Sequence, residues 1–152
     1  MEYTMTIKEI ISKQLPNSQP VTNERIQQIQ SQLRCIFPNE YVSLLSICNG
    51  GLWKNQRVLL YTIDNEELPE SESLTAVNSN MTETKLLFIG KNGEEDFGYK
   101  LEGLTVNTTE IYIYNHEDET ASHLANSLPE LLEKLNTSEP KKKKGFFSFL
   151  FK

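Results

Sequence analysis

Apolar positions recur every three or four residues at both ends of this chain and gather into short continuous runs in its middle. Ile7, Ile10, Ile11 and Leu15 form one stripe behind a Thr6–Glu9 capping-box spacing, with Met5 and Ile10 placed as a hydrophobic staple. This predicts a helix over 7–15, ended by Pro16, and then a loop over 16–20. A second helix starts near Thr22 or Asn23, with Ile26, Ile29 and Leu33 inward and glutamines outward. The stretch 37–53, FPNEYVSLLSICNGGLW, predicts a third. Pro38 suits a first helical position, where its missing N–H is not needed. Glu40 lies in the first turn, facing the positive end of the helix dipole. Phe37, Tyr41, Leu44, Leu45 and Cys48 mark its apolar stripe. Asn49, Gly50 and Gly51 tolerate positive φ and so end the helix. Trp53 follows on a tight turn, in the core or on the rim of a binding face.

The middle of the chain reads as strands. Residues 57–63 (RVLLYTI) are β-rich and bounded by turn residues, and 85–89 (KLLFI) suit a buried strand. Between them, 66–81 is polar, acidic and broken by Pro69, a long loop with room for a helical turn. Asn92-Gly93 is a hairpin signal, 97–101 returns as a strand, and 110–114 (EIYIY) is another. Ser127 and Glu130 repeat the capping-box spacing before Leu128, Leu131, Leu132 and Leu135, the inward face of a last helix to about 136. Helices at both ends with three to five or more antiparallel strands between them make an α+β domain. Residues 1–139 form that single domain and 140–152 form a tail of different character.

Composition narrows the function. Hydrophobic residues are 38% of the 152, enough for one modest core. There is no run of 18 apolar residues, so no spanning helix is expected. The first ten residues lack a basic region followed by an apolar one, so no signal peptide is expected. Cys35 and Cys48 read as buried free thiols, which suits a reducing cytoplasm. The net charge is −6, but residues 140–152 hold five lysines and no acid. Residues 1–139 therefore carry 10 basic and 21 acidic side chains, a balance of −11. So acidic a body argues against direct nucleic-acid binding, which needs a basic surface, and is compatible with a basic protein partner.

No catalytic or metal constellation emerges. His116 precedes Glu117, Asp118 and Glu119, but three consecutive acids point in different directions, and a hard cation needs oxygens folded around one point. Neither histidine, His116 or His123, is near a cysteine in sequence, and no phosphate-binding glycine loop occurs. No cofactor is expected. Surface remains. Glu66, Glu67, Glu70 and Glu72 form one acidic cluster, Glu94, Glu95 and Asp96 a second, and Glu117, Asp118 and Glu119 a third. If the turns after Gly90 and after Tyr114 fall on one edge of the sheet, two clusters merge into a patch; otherwise they are solubilising turns. Affinity would need aromatic anchors, for which Trp53, Tyr61 and Tyr99 are the candidates.

Taken in order, the Ile26/Ile29/Leu33 helix, FPNEY, CNGGLW, LLFIG with its glycine-bearing turn, FGYKL, EIYIY and SLPELLEKL resemble the SUKH superfamily over residues 22–136. That superfamily is shared by many bacterial immunity proteins and a yeast cell-wall regulator. Members usually carry Leu-Pro before the acidic-aromatic pair, where this chain has Phe37-Pro38. The matching residues Pro38, Tyr41, Asn49, Gly50, Gly51 and Trp53 are mostly explained by folding. The resemblance implies an α+β fold, no enzymatic activity, and an immunity protein that neutralises a cognate toxin, often a nuclease, by occlusion. The alternative it implies is a scaffold or regulator.

The tail PKKKKGFFSFLFK sets Lys141, Lys142, Lys143 and Lys144 before Phe146, Phe147, Phe149, Leu150 and Phe151. It is too short to cross a bilayer but could lie on one, since each lysine near an anionic leaflet contributes roughly 1 kcal/mol. Docking on a partner and packing on its own domain are the other readings. The expected location is cytoplasmic, with the tail offering contact to the inner membrane face.

Overall fold

The computed structural model describes residues 6–64 and 72–137. Three helices come first: α1 (Ile7–Gln14), α2 (Asn23–Leu33) and α3 (Asn39–Leu45). Six strands follow: β1 (Gly51–Leu52), β2 (Val58–Leu60), β3 (Leu86–Asn92), β4 (Glu95–Lys100), β5 (Ile111–Asn115) and β6 (Thr120–Ala125). Two short helices, α4 (Leu74–Val77) and α5 (Met81–Thr84), interrupt the strands, and α6 (Leu128–Thr137) closes the domain. The strands form one antiparallel sheet in the order β1-β2-β3-β4-β5-β6, so the α+β expectation holds. β1 and β6 were not anticipated. β1 is only two residues long, and β6 is exposed over most of its length, so neither carries an apolar pattern.

The helix caps follow their residues. At α1, Thr6 N–H donates to the Glu9 carboxylate at 2.8 Å and Glu9 N–H to the Thr6 hydroxyl at 3.2 Å, a closed capping box. Met5, the other half of the staple, lies outside the described residues. At α6 the box opens differently: Glu130 N–H reaches the Ser127 hydroxyl at 3.3 Å, but the Glu130 carboxylate takes Asn126 N–H instead. Pro38 is the N-cap of α3, one position earlier than expected, and its carbonyl accepts from Tyr41 and Val42 N–H.

The end of α3 needs a correction. The helix stops at Leu45, and a further turn carries the chain to Cys48, whose N–H reaches Leu44 O at 2.9 Å. Gly50 and Gly51 have φ of +84° and +128°, as expected, but Asn49 is not among the positive-φ residues. Asn49 works through its side-chain amide, which donates to Ile63 O at 2.6 Å and accepts from Ile63 N–H at 2.8 Å. That pair fastens the α3–β1 turn to the segment just past β2. Gly50 lies so close that an added Cβ would stand 2.5 Å from Leu60 O.

The inner face of the sheet packs on α3 and α6. Leu87 pairs with Tyr99, and Phe97 with Ile113, so these residues share that face. The Tyr41 and Tyr99 rings meet at 6.4 Å between centroids. Glu40 joins the layers: its Oε2 accepts from the Tyr99 hydroxyl at 2.8 Å and from Leu128 N–H at 3.0 Å. One carboxylate thus ties α3 to β4 and caps α6. Burial raises the Glu40 pKa, and the two hydrogen bonds oppose that rise. Leu128, Leu131 and Leu132 are fully buried, each contributing about 1.5–3 kcal/mol by the transfer of its side chain from water. α1 lies on α6 and joins it through Gln14 Nε2 and Asn136 Oδ1 at 2.9 Å.

The outer face is covered over only half its width. α4 and α5 both pack on β3. Asn78, buried at the end of α4, donates to Leu74 O and Phe88 O, both at 2.9 Å, and accepts from Phe88 N–H at 2.8 Å. A full amide thereby pairs with the strand at its bulge between Phe88 and Gly90. Among the described residues, no element covers the outer face of β4, β5 and β6, where Lys100, Ala121 and His123 are exposed and Tyr112 is half-buried.

Gly50→Ala is expected to destabilise the domain by about 2–4 kcal/mol, because it adds both left-handed backbone strain and a clash with Leu60 O. Urea unfolding reads this; a midpoint unchanged from wild type would refute the account of this turn.

Candidate partner-binding surface

Three of the sheet's turns point to one end. The β1–β2 turn (53–57), the β3–β4 turn at Gly93-Glu94 and the β5–β6 turn (116–119) all lie there, because successive strands alternate direction. Gly93 takes φ +65° at the first loop residue, as a two-residue hairpin loop demands, and its N–H bonds Arg57 O at 2.8 Å. Glu119 takes φ +57° in the four-residue turn. The second and third acidic clusters therefore meet, with Glu94, Glu95, Glu117, Asp118 and Glu119 all exposed. Lys54 and Arg57, exposed on the β1–β2 turn, bound this end on its other side.

Asp96 belongs to the same end but is already engaged. Its Oδ1 accepts from the Tyr61 hydroxyl, and its Oδ2 lies 2.6 Å from His116 Nε2. The His116 ring in turn packs edge-on against Tyr114, with centroids 4.8 Å apart, and against Phe88 at 6.0 Å. This Tyr61–Asp96–His116 chain fixes the acidic β5–β6 turn to β4 and β2. Next to it runs a row of rings on the open face: Tyr114, then Tyr112, with His123 edge-on to Tyr112 at 5.5 Å and the Lys100 ammonium 4.3 Å from the Tyr112 centroid.

The three expected aromatic anchors are elsewhere. Trp53, Tyr61 and Tyr99 are 1%, 4% and 0% exposed, so these rings are core residues and present nothing to a partner. The reason is their partners inside: Trp53 stands at the end of β1, Tyr61 beside β3 and Tyr99 under Glu40. On the outer face of the neighbouring strands, His123 is exposed, Tyr112 is half-buried and Tyr114 is buried. Their signal was present in EIYIY, where aromatic and aliphatic residues alternate, one set for each face. Glu72 is half-buried and pairs with Lys91 at 3.6 Å. Glu66, Glu67 and Glu70 lie outside the described residues, as do Lys141, Lys142, Lys143, Lys144, Phe146, Phe147, Phe149, Leu150 and Phe151.

The sulfur and imidazole groups do not assemble. Cys48 is buried, while Cys35 is only half-buried in the loop after α2, a correction to the expectation of two buried thiols on helices. Burial pushes the Cys35 thiol up to about 11 and raises Cys48 as well, which keeps both in the unreactive thiol form. The ring partners of His116 and His123 are tyrosines, Phe88 and Asp96. Among the described residues, no three His, Cys, Asp or Glu side chains are grouped to hold a metal ion. No helix among them is long and apolar enough to cross a membrane.

The family model described as SMI1 / KNR4 family (SUKH-1) matches residues 20–134. The chain belongs to the SUKH-1 family. The match begins just before α2 and ends within α6, so it takes in the whole sheet and leaves α1 outside. SUKH proteins are in general non-catalytic immunity or regulatory proteins, and they bind partner toxins. No curated protein matches the chain. Within this SUKH domain, Pro38, Tyr41, Asn49, Gly50, Gly51 and Trp53 all serve the α3–β1 corner described above.

Asp96→Ala is expected to cost about 1–3 kcal/mol, because it strands the half-buried Tyr61 hydroxyl. Asp96→Asn keeps an acceptor for Tyr61 and a donor for His116 and should recover most of that loss. Urea midpoints of the two variants check this; equal losses would show that the network does not hold the turn.

Proposed function

We propose that this SUKH domain is an immunity protein that binds and neutralises a cognate toxin by stoichiometric occlusion. The toxin is a basic nuclease domain. The meeting of Glu94, Glu95, Glu117, Asp118 and Glu119 at one end of the sheet carries this reading. A nuclease presents a basic groove to its phosphate substrate, and an acidic surface held rigidly in hairpins matches that groove in charge. No bond is made or broken. Family membership supports the class of activity, and the −11 balance of residues 1–139 supports the sign of the partner.

A second reading rests on residues 140–152, whose four consecutive lysines and five large apolar residues suit an anionic membrane surface. On that reading the domain is an interaction scaffold or regulator held at a membrane. Co-sedimentation with anionic vesicles separates the two: equal pelleting of the full chain and a 1–139 truncation removes the membrane role.

Co-expression with the toxin domain encoded beside this chain's gene tests the first reading. Survival of the cells and one-to-one co-purification are expected. Glu94→Lys/Glu95→Lys/Glu117→Lys should lower the association rate at low salt by about tenfold or more, with a smaller salt dependence than wild type. An unchanged association rate would remove the acidic end from the interface.

A further inference from the structure

The open half of the outer face contains a groove of about 420 Å³ between α5 and strands β4–β6. Leu86 and Tyr114 line its floor, Met81 and Thr82 one wall, and Ala121 the other. Thr82 and Ala121 are exposed on facing lips. Its charges are at the rim and are unevenly placed. Glu119 lines one end, and the Tyr114 hydroxyl is raised in pKa through burial and through the charges of Glu119, Glu83 and Asp118. Lys85 and Lys100 line the other end together with Glu102, and Lys100 is held over the Tyr112 ring. β6 borders the groove as an edge strand, and Thr120–Ala125 contains neither lysine nor proline to discourage pairing.

We infer that this groove receives one apolar side chain from an extended segment of the toxin, with a neighbouring Arg or Lys of that segment over Asp118 and Glu119. The inference rests on the immunity reading and names the site and the chemistry that the reading leaves open. The apolar floor takes the anchor, and burying such a side chain supplies what a rim of charges does not. The carboxylates at the Glu119 end demand a basic neighbour. An extended backbone suits β6, the edge strand of the sheet among the described residues. A second copy of this chain would bring a surface of the same sign, from a body with a balance of −11. A small polar ligand would find its partners spread around the rim instead of converging on one point.

The test uses the full chain and the toxin domain encoded beside its gene, inactivated in its own catalytic residues. Ala121→Trp and Thr82→Trp each fill the groove from an exposed position on opposite walls, and Gln27→Trp on the exposed side of α2 is the control. Both groove variants are expected to weaken Kd by 100-fold or more while keeping the wild-type urea midpoint. Gln27→Trp should stay within threefold of wild type. If wild type binds and both groove variants bind within threefold of it, the groove is not the site and the immunity reading stands. If wild type itself neither binds nor protects, the immunity reading falls and takes this occupant with it.

Discussion

A six-stranded sheet has two faces to cover, and the described residues of this chain cover one and a half. The inner face is closed by α3 and α6, with Glu40 bonded to Tyr99 and to the first N–H of α6. The outer face is closed only as far as β3, where the segment carrying α4 and α5 lies across it. From β4 to β6 the sheet meets solvent. That division accounts for the groove, which is the step between the covered and the open halves.

The half-cover is held by polar contacts. Asn78 spends its amide on the bulged backbone of β3, and Asn49 spends its own on Ile63, so each short connection is pinned at one point. Such pairing removes the cost of burying those backbone groups and sets the register of the loop against the strand. The Tyr61–Asp96–His116 chain does the same for the β5–β6 turn. The acidic end is therefore a fixed arrangement of charges, as fast and specific association requires.

Much of this was legible from the residues. The amphipathic stripes and caps of α1, α2 and α6 placed those helices to within a residue or two, because their faces and end signals agree. The strands from β2 to β5 were visible for the same reason. β6 was not, since an exposed edge strand such as TASHLA has no burial pattern to show. The acidic turns were found in sequence, and the question left open, whether they share an edge, depended on strand order. The aromatic anchors were misplaced because large rings are the most valuable core residues: Trp53 and Tyr99 went inward. Tyr112 stays half-buried because no described element packs over it on that side, while Tyr114 is buried beside Phe88 and His116. Glu40 looked like a dipole partner of its own helix and turned out to cap another, a long-range pairing that no local pattern announces.

The central claim is that this SUKH domain works by presenting the open outer face of β4–β6 and the adjoining acidic turns to a toxin. Backbone hydrogen exchange of the full chain, alone and mixed one-to-one with an inactivated nuclease toxin domain against which it protects cells, tests it directly. The account predicts new protection in β6, in the turns at 93–95 and 116–119, and in α5, with α1 and α2 unchanged. Protection confined to α1 and α2, with β6 exchanging as fast as in the free protein, would contradict it.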